Sequence, residues 1–404
     1  MLLDRRFAAL FWCQGFAAFN DNFLKSALTV LLLYRHGPAA LPLVALAGGV
    51  FIAPFVLLSG LGGELADRID KARMASILKF IEIAAAGLAV TGFLLNAVPT
   101  LFAALLAFGV LAALFSPVKY GILPELLHPD ELPQANALID FATFLAILAG
   151  TALGAALGAS RPLLLSGLVM LAGLASFAAA MRIPRGGAAQ PGLAIRANLA
   201  ASSFALIQIL RARPALWRAA LVSSWFWFAG ITALTLLAPL LKLQLHRGPH
   251  AVTLGLAIFS LGIGAGSFLA ARLMRGRLSL APAWPGSITL GALSLLLGLA
   301  VSDLAPPFAW VLLILFAIAV AGGLIAVPSL ALVQALAPIN ARARAVAGAN
   351  VLNAVAMIIA SLALTALLHG GAAPSTILAG FGGATLLISL LAVVRRKIAP
   401  GAFQ

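Results

Sequence analysis

The chain alternates long apolar runs with short polar stretches over its whole length. A helix needs about 20 apolar residues to cross the hydrocarbon layer of a bilayer, and twelve such runs are present. Segments 101–115 and 308–327 are continuously apolar, unlike the residue-by-residue alternation of membrane barrel strands. The pattern therefore predicts an all-α integral membrane protein with spans at 7–33, 41–65, 74–96, 98–117, 135–158, 163–181, 216–241, 251–273, 279–301, 307–332, 344–368 and 375–394.

Composition and charge support this interpretation and argue against a nucleic-acid partner. Apolar residues make up 63% of the chain and charged residues 9%, which is far from the composition of a water-soluble domain. Of the 26 Lys and Arg residues, 20 fall in one set of alternating loops, four in the other set and two within spans. Positive charge marks the cytoplasmic side, so both termini are expected in the cytoplasm. Because the basic residues follow this topology instead of forming one patch, the net charge of +15 does not indicate nucleic-acid binding.

Two stretches recur at about half the chain length, which predicts a duplicated six-helix unit. Residues 62–73 align with 266–277 at an offset of 204, and 135–138 align with 349–352 at an offset of 214. The longest polar interval lies between the copies and contains the Gly and Pro typical of linkers. The predicted domains are an N-terminal six-helix bundle, a cytoplasmic linker and a C-terminal six-helix bundle, at 1–182, 183–215 and 216–404.

The linker leaves two interpretations open. Residues 195–211 place Leu199, Leu206 and Leu210 on one side of a predicted helix, with arginines at both ends. This segment is either part of a flexible connector or an interfacial helix that lies against anionic lipid headgroups.

The loop between the second and third spans carries a charged motif, Gly63-x-x-x-Asp67-Arg68-x-Asp70-Lys71-x-Arg73. It resembles the signature loop of the major facilitator superfamily, whose twelve-helix fold has two pseudo-symmetric six-helix bundles. The glycine permits close helix approach, Asp67 can cap or ion-pair beneath a neighbouring helix, and the basic residues meet inner-leaflet headgroups. A charged loop that only obeys the positive-inside rule would explain the basic residues but neither the spacing nor the repeat. We therefore predict a gate that favours an outward-open state, formed by Asp67, Arg68, Lys71 and Arg73.

Ala271 stands where the repeat would place a second aspartate, so a matching gate in the second half is not expected.

Ionisable residues inside predicted spans are the strongest functional signal, because each costs about 2.5 to 3.5 kcal/mol at mid-bilayer. Asp21 and Lys25 lie four residues apart on one face of the first span, where they can pair. Lys79 and Glu82 lie three residues apart in the third span. Lys119 lies at the inner end of the fourth span and Asp140 in the fifth. The alternative is that the two pairs only stabilise helix packing.

The second half contrasts with the first, since it offers mainly aromatic and aliphatic side chains. Residues 225–228 read Trp-Phe-Trp-Phe, and Asn350 and Asn353 contribute uncharged polar side chains. An aromatic cluster of this kind is more often interfacial or involved in packing than ligand-binding. A substrate with a charged head and an apolar tail would nevertheless fit both halves.

Four strings together resemble the lysophospholipid transporter family, a branch of the major facilitator superfamily. They are Phe19-Asn20-Asp21-Asn22, residues 66–73, residues 116–125 and Asn136-Ala137-Leu138-Ile139-Asp140. The resemblance implies a flippase that moves lysophospholipids, such as lysophosphatidylethanolamine, from the outer to the inner leaflet of a bacterial inner membrane for reacylation. Matching family positions imply headgroup ligands at Asp21, Asn22, Lys119 and Asp140. With the other intramembrane polar groups, the candidate substrate-binding residues are Asn20, Asp21, Asn22, Lys25, Lys79, Glu82, Lys119 and Asp140.

The resemblance also shapes the expected partners. Some family members carry an Arg in span 7 that residues 229–235 lack, so phosphate would be met by Lys25, Lys79 or Lys119. Some relatives are fused to an acyltransferase domain, but this sequence has no His-x-x-x-x-Asp motif. A separate acyltransferase is therefore the expected partner, beside the lysophospholipid substrate and membrane lipids, and no cofactor is expected.

Two other functions compete with the flippase. A proton-coupled exporter of amphipathic small molecules would use Asp21, Glu82 or Asp140 as the titrating group. A membrane-embedded enzyme is disfavoured, because the five histidines fall mostly in predicted loops and form no metal or nucleophile constellation. The lone Cys13 has no disulfide partner in the chain.

Overall fold

A computed structural model of the protein describes residues 1–2, 4–36, 40–157, 161–196, 198–275, 277–304 and 306–398. Regular structure in these ranges is helical, with twelve long helices and one short helix between the two halves of the sequence. The helices are α1 (Ala8–His36), α2 (Leu41–Arg68), α3 (Lys71–Leu94), α4 (Val98–Leu126), α5 (Leu132–Leu157), α6 (Pro162–Ala180), α7 (Leu199–Arg211), α8 (Pro214–Pro239), α9 (Pro249–Met274), α10 (Ala283–Asp303), α11 (Phe308–Leu336), α12 (Arg342–His369) and α13 (Pro374–Ile398). A π-helical turn (Leu240–Gln244) extends α8, and a 3₁₀ turn (Ile339–Ala341) precedes α12.

Eleven of the twelve long helices are long and apolar enough to cross a membrane. The exception, α1, has 29 residues but carries Asn20, Asp21, Asn22 and Lys25 near its middle. Polar residues at this depth lower the hydropathy of a span without shortening it. The least apolar long helix is therefore also the one that carries half of the predicted headgroup ligands.

Two of the long helices continue through interior prolines beyond the predicted spans. The sequence placed the inner end of the fourth span at 117, whereas α4 continues through Pro117 and Pro124 to Leu126. The helix α11 likewise continues through Pro328 to Leu336. Membrane helices tolerate interior proline because neighbouring groups satisfy the freed backbone carbonyls. One consequence is that Lys119 lies within α4 and not at its end.

The described chain divides into two compact units. The first comprises Met1–His128, Leu145–Arg211 and Ala337–Val351, and the second comprises Pro129–Phe144, Ala212–Leu336 and Leu352–Gln404. Two helices, α5 and α12, therefore each contribute one end to one unit and the remainder to the other. The predicted division at 1–182, 183–215 and 216–404 stays a prediction.

The first unit packs α1 against α4 and α6, α3 against α4 and α6, and α2 against α4. Small residues also let α5 approach α1 closely, as is usual between membrane helices. A Cβ at Gly150 of α5 would lie 2.5 Å from the Phe19 carbonyl oxygen of α1. One residue further along α5, the Thr151 carbonyl accepts a hydrogen bond from Ser26 Oγ at 2.8 Å. Helix α1 is thus fixed along its length, with its polar centre held inside the unit.

The second unit packs α10 against α13 and α11, and α11 also against α8 and α9. Its core is a large apolar cluster that includes Phe226, Leu237, Phe259 and Ile318. A buried polar contact also lies in this unit. Asn136 and Gln334, both fully buried, exchange two side-chain hydrogen bonds at 2.7 and 3.0 Å, which joins the start of α5 to α11.

Candidate functional site

A buried ion pair lies at the centre of the first unit. Lys79 and Glu82 of α3 are each 2% exposed, and their charged atoms are 2.5 Å apart. The Lys79 amine also lies 4.3 Å from the centre of the Phe115 ring of α4, a cation–π contact. Both Glu82 and the Phe115 ring thus stabilise the Lys79 ammonium. The second carboxylate oxygen of Glu82, Oε1, is buried without a hydrogen-bond partner among the described residues.

The charged residues of α1 lie close to this ion pair. Asp21 interacts electrostatically with Glu82, Lys79, Lys25 and Lys119. Asp21 and Lys25 are only half-buried, and the Lys25 amine lies 5.6 Å from the centre of the Phe51 ring of α2. Five ionisable side chains from α1, α3 and α4 therefore form one mixed-charge group, hereafter the charged cluster, comprising Asp21, Lys25, Lys79, Glu82 and Lys119.

The neighbouring asparagines of α1 have different surroundings. Asn20 is fully buried and donates through Nδ2 to the Val169 carbonyl of α6 at 3.1 Å. Its Oδ1 is a second buried acceptor that lacks a partner among the described residues. Asn22 instead donates to the Ala18 carbonyl of its own helix at 2.8 Å. Asn20 Oδ1 and Glu82 Oε1 are therefore two acceptors that a bound donor could satisfy.

Two predicted ligands come from α4 and α5. Lys119 is 8% exposed, and its amine lies 4.3 Å from the centre of the Tyr120 ring. Asp140 is 9% exposed and belongs to the part of α5 that lies in the second unit. Its neighbour Phe141 packs on Phe268 of α9, with ring centres 5.6 Å apart. Lys119 thus joins the charged cluster, while a role for Asp140 in the same site stays a prediction.

The second group of charges surrounds Asp67 at the end of α2. Asp67 is fully buried, and Oδ1 accepts from the Ala343 amide at 3.1 Å. Oδ2 accepts from the Arg344 amide at 3.2 Å and from Arg344 Nε at 3.0 Å. The carboxylate therefore both caps the N-terminus of α12 and forms an ion pair with a residue of its first turn.

Lys71 extends this group toward α4. Its amine lies 3.9 Å from Asp67 Oδ1 and 2.7 Å from Glu125 Oε1, and its side chain is fully buried. Glu125 and Arg344 were not among the predicted gating residues. Glu125 stood in one of the family-like strings, but nothing local in the sequence identified Arg344 as the partner of Asp67. Hereafter these four residues, Asp67, Lys71, Glu125 and Arg344, are the Asp67 cluster.

Gly63 explains how α12 comes close enough to reach Asp67. A Cβ at this position would lie 2.7 Å from Ala347 Cβ and 3.0 Å from Arg344 Cα. The remaining predicted gating residues, Arg68 and Arg73, are exposed. They do not belong to the Asp67 cluster, and contact with lipid headgroups stays a prediction for them.

Comparison with known proteins places this geometry in a family. A sequence model of the Major Facilitator Superfamily matches residues 10–361. The chain is 32% identical over 336 residues to "Lysophospholipid transporter LplT" of Yersinia pestis (strain Pestoides F), a match that covers 82% of this chain and 79% of that protein. The same figures hold for "Lysophospholipid transporter LplT" of Yersinia pseudotuberculosis serotype O:3 (strain YPIII). The chain belongs to the lysophospholipid transporter family. The predicted family is therefore confirmed.

Solved structures agree on the fold. The human organic anion transporter MFSD10 (TETRAN) matches with a TM-score of 0.78 at 18% identity, covering 95% of this chain and 99% of that chain. A bacterial homologue of the iron transporter ferroportin, in its outward-facing state, matches with a TM-score of 0.76 at 17% identity, covering 98% and 100%. These identities support the fold alone. With the family match, they confirm the predicted all-α major facilitator fold of a multi-pass membrane transporter, and the named relatives are transporters and not enzymes.

The second half of this family member lacks the counterpart of Asp67. Around Ala271, the second unit has a cleft of about 530 Å³, lined by Asp130, Pro133, Gln134, Phe268, Ala271 and Arg272. The start of α5 and Ala271 thus line the same cleft. Ala271 is the position at which the repeat would place a carboxylate. The absence of a matching gate in the second half stays an expectation from the sequence.

The aromatic segment of α8 packs within the second unit. Trp225 and Phe228 stack at 5.5 Å with rings 6° from parallel, and Phe381 of α13 lies against both rings. Phe226 is buried in the core of the second unit.

The two polar asparagines of the second half, Asn350 and Asn353, are both hydrogen-bonded. Asn350 bonds to Ser116 Oγ at 2.9 Å, and Asn353 bonds to Ser224 Oγ at 3.0 Å.

Proposed function

We propose that the protein moves lysophospholipids, such as lysophosphatidylethanolamine, from the outer to the inner leaflet of a bacterial inner membrane by alternating access. The observation that carries this proposal is the charged cluster, five ionisable side chains inside a family member whose relatives are named lysophospholipid transporters. Charges inside membrane spans are costly, so they are rare and mark substrate or proton pathways. A headgroup with both signs of charge matches a cluster with both signs.

The proposed headgroup site follows from the unused bonding capacity of the cluster. Glu82 Oε1 and Asn20 Oδ1 are buried acceptors without partners among the described residues, and each can accept a hydrogen bond from a substrate ammonium or hydroxyl group. The cations proposed to meet the phosphate are Lys25, Lys79 and Lys119, because ammonium groups donate charge-assisted hydrogen bonds to phosphate oxygens. Asp21 and Asn22 of α1 complete the proposed ligand set within the first unit, and Asp140 of α5 stays a predicted ligand.

The Asp67 cluster is the proposed gate. Alternating access requires one side of a transporter to open while the other stays closed, and the cap on α12 is a bistable contact that transport can break and remake. In the proposed topology both termini and this cluster face the cytoplasm, following the distribution of basic residues. Arg68 and Arg73 contact inner-leaflet headgroups. A separate acyltransferase consumes the delivered lysolipid and so keeps transport directed inward.

A leaflet-sidedness assay in liposomes tests the proposed site. The double variant Asp21→Ala, Lys119→Ala removes one acid and one base from the charged cluster and is expected to lose most lysolipid transfer. A matched control is Asp303→Ala, Lys242→Ala, which removes the same charges from exposed positions and is expected to transport normally. Unchanged transfer by the first variant would remove the proposed headgroup site.

A proton-coupled exporter of amphipathic small molecules is the second candidate. It is favoured by one observation, the acidic side chains of Asp21 and Glu82 within the charged cluster, since carboxylates inside membrane spans mark proton pathways as well as substrate sites. Drug efflux that an uncoupler abolishes, in a protein that transfers no lysolipid, would establish this function instead.

A further inference from the structure

The connector between the halves, residues 183–215, is bonded to the first unit at several points. Its first attachment is to Asp70, whose Oδ2 accepts hydrogen bonds from the Gly186 and Gly187 amides at 3.1 and 2.6 Å. Gly187 has φ of +86°, a conformation open to glycine that lets successive N–H groups converge on one anion. The other oxygen of Asp70 caps α3 through the Arg73 amide at 2.8 Å. The connector is thus fixed to the same turn that carries the Asp67 cluster.

The second attachment is to Glu64, a carboxylate of α2 that is 2% exposed. Oε2 accepts from the Arg196 amide at 2.9 Å, and Oε1 accepts from Ser202 Oγ at 2.8 Å. Gly60, one turn away on α2, makes room for this contact, because a Cβ there would lie 2.8 Å from Ser202 Oγ. Both oxygens of a buried acid are therefore used to hold the connector on α2.

Gln190 of the connector links α2 and α12. Its backbone amide donates to the Asp67 carbonyl of α2 at 2.7 Å. Its side-chain Oε1 accepts from Arg344 Nη2 of α12 at 2.7 Å. The guanidinium that pairs with Asp67 is therefore also held by the connector. Further along, Leu206 of α7 forms a small buried cluster with Ala347 and Val351 of α12.

We infer that the connector is a moving part of the gate, which stays attached to α2 and releases α12 in each transport cycle. The attachments differ in number. Among the described residues, four hydrogen bonds to the carboxylates Asp70 and Glu64 fix the connector to α2 and α3. One side-chain hydrogen bond, from Arg344 to Gln190, and a small apolar cluster fix it to α12. All five hydrogen bonds involve a charged group and are of the stronger kind, so the larger set is expected to hold while the single one breaks. Gln190 is a positioning residue, which orients Arg344 toward Asp67. The inference rests on the alternating-access gate proposed above.

Two engineered disulfides test which attachment is released, in a Cys13→Ser background. The pair Leu206→Cys, Gly348→Cys joins the connector to α12, since a Cβ at Gly348 would lie 3.2 Å from Leu206 Cβ. The pair Gly60→Cys, Ser202→Cys joins the connector to α2 and is the matched control, with a corresponding distance of 3.3 Å. Disulfides span about 3.5 to 4.5 Å between Cβ atoms, so each pair needs a shift of only a few tenths of an ångström.

Oxidation of the α12 pair is expected to stop lysolipid transfer and reduction to restore it. Oxidation of the α2 pair is expected to leave transfer unchanged. Transfer by the bridged α12 pair would show that no release is needed, and a block by the bridged α2 pair would show that the connector also leaves α2. Either result overturns the inference.

A second measurement depends neither on new disulfides nor on any substrate. A reporter, Ala343→Cys in the Cys13→Ser background, lies beneath Asp67 at a fully buried position and is labelled by maleimide only when the first turn of α12 separates. Gln190→Ala is expected to speed labelling about tenfold, as loss of one hydrogen bond to a charged group would. Gln190→Glu keeps the acceptor and is expected to label no faster than the parent. Equal labelling of all three would overturn the role of Gln190, whereas absent lysolipid transfer with this labelling pattern would refute only the proposed substrate.

Discussion

Removal of the Asp67 carboxylate is the sharpest perturbation of the proposed gate. Asp67→Ala removes three hydrogen bonds at once, from the Ala343 amide, the Arg344 amide and Arg344 Nε. It also leaves Arg344 without its buried anion, while Lys71 keeps Glu125 at 2.7 Å. The contact between α2 and the first turn of α12 should therefore weaken, with the rest of the cluster intact.

The size of this effect follows from the nature of the contact. Breaking a buried ion pair by removing one partner costs about 3 to 5 kcal/mol, and each 1.4 kcal/mol is about tenfold in an equilibrium constant. Asp67→Ala should therefore raise the open fraction at α12 by at least about a hundredfold. Asp67→Asn keeps one carbonyl oxygen as a cap, so we expect a loss of about 1 to 3 kcal/mol for that variant.

Maleimide labelling of Ala343→Cys measures the open fraction, with Asp67→Ala and Asp67→Asn compared in one background. The matched control is Arg68→Ala, since Arg68 is adjacent, charged and exposed. We expect the order Ala above Asn, with Arg68→Ala equal to the parent. If Arg68→Ala opened the contact as much as Asp67→Ala, the effect would be a general charge effect of the loop, and the capping argument would be refuted.

Three further predictions concern packing and buried polar groups. Lys79→Met should lower the stability of the purified protein by about 3 to 5 kcal/mol because Glu82 stays buried and unpaired, and Lys79→Met, Glu82→Leu should recover most of it in thermal melting. Gly63→Ala should speed labelling of Ala343→Cys because its methyl group would lie 3.0 Å from Arg344 Cα, whereas Gly87→Ala, with no atom within 4 Å of the new Cβ, should not. Asn136→Ala and Gln334→Ala should each cost about 1 to 3 kcal/mol, and the double variant should cost clearly less than their sum, since each single change orphans a buried amide.

The fold was predictable because lipid imposes a simple rule on sequence. Every span must satisfy its backbone bonds internally, so twelve apolar runs translate directly into helices. Proline positions are less informative. Pro117 and Pro124 do not end α4, and membrane helices tolerate interior proline because neighbouring groups can satisfy the freed backbone carbonyls.

The charged cluster was predictable for a related reason, since an ionisable residue in an apolar run is conspicuous. Its unpaired acceptors were not, because the sequence does not reveal that Asn20 Oδ1 and Glu82 Oε1 lack donors among the described residues. The Asp67 cluster was only half predictable. Periodicity relates residues three or four apart, whereas Asp67 and Arg344 are 277 positions apart. The roles of Glu64 and Gln190 were missed because each bonds a partner in a distant segment.

The two similar turns, residues 62–73 and 266–277, form different contacts. In the first unit Asp67 caps α12, and the contact depends on buried charge. In the second unit Ala271 adjoins an open cleft, and the start of α5 is instead held by the neutral pair Asn136 and Gln334. A neutral hydrogen bond contributes about 1 kcal/mol net, too little to act as a switch, whereas a buried ion pair changes the balance by several. Control of opening should therefore reside in the α2–α12 contact, where the connector also acts, while the α5–α11 contact serves as passive support.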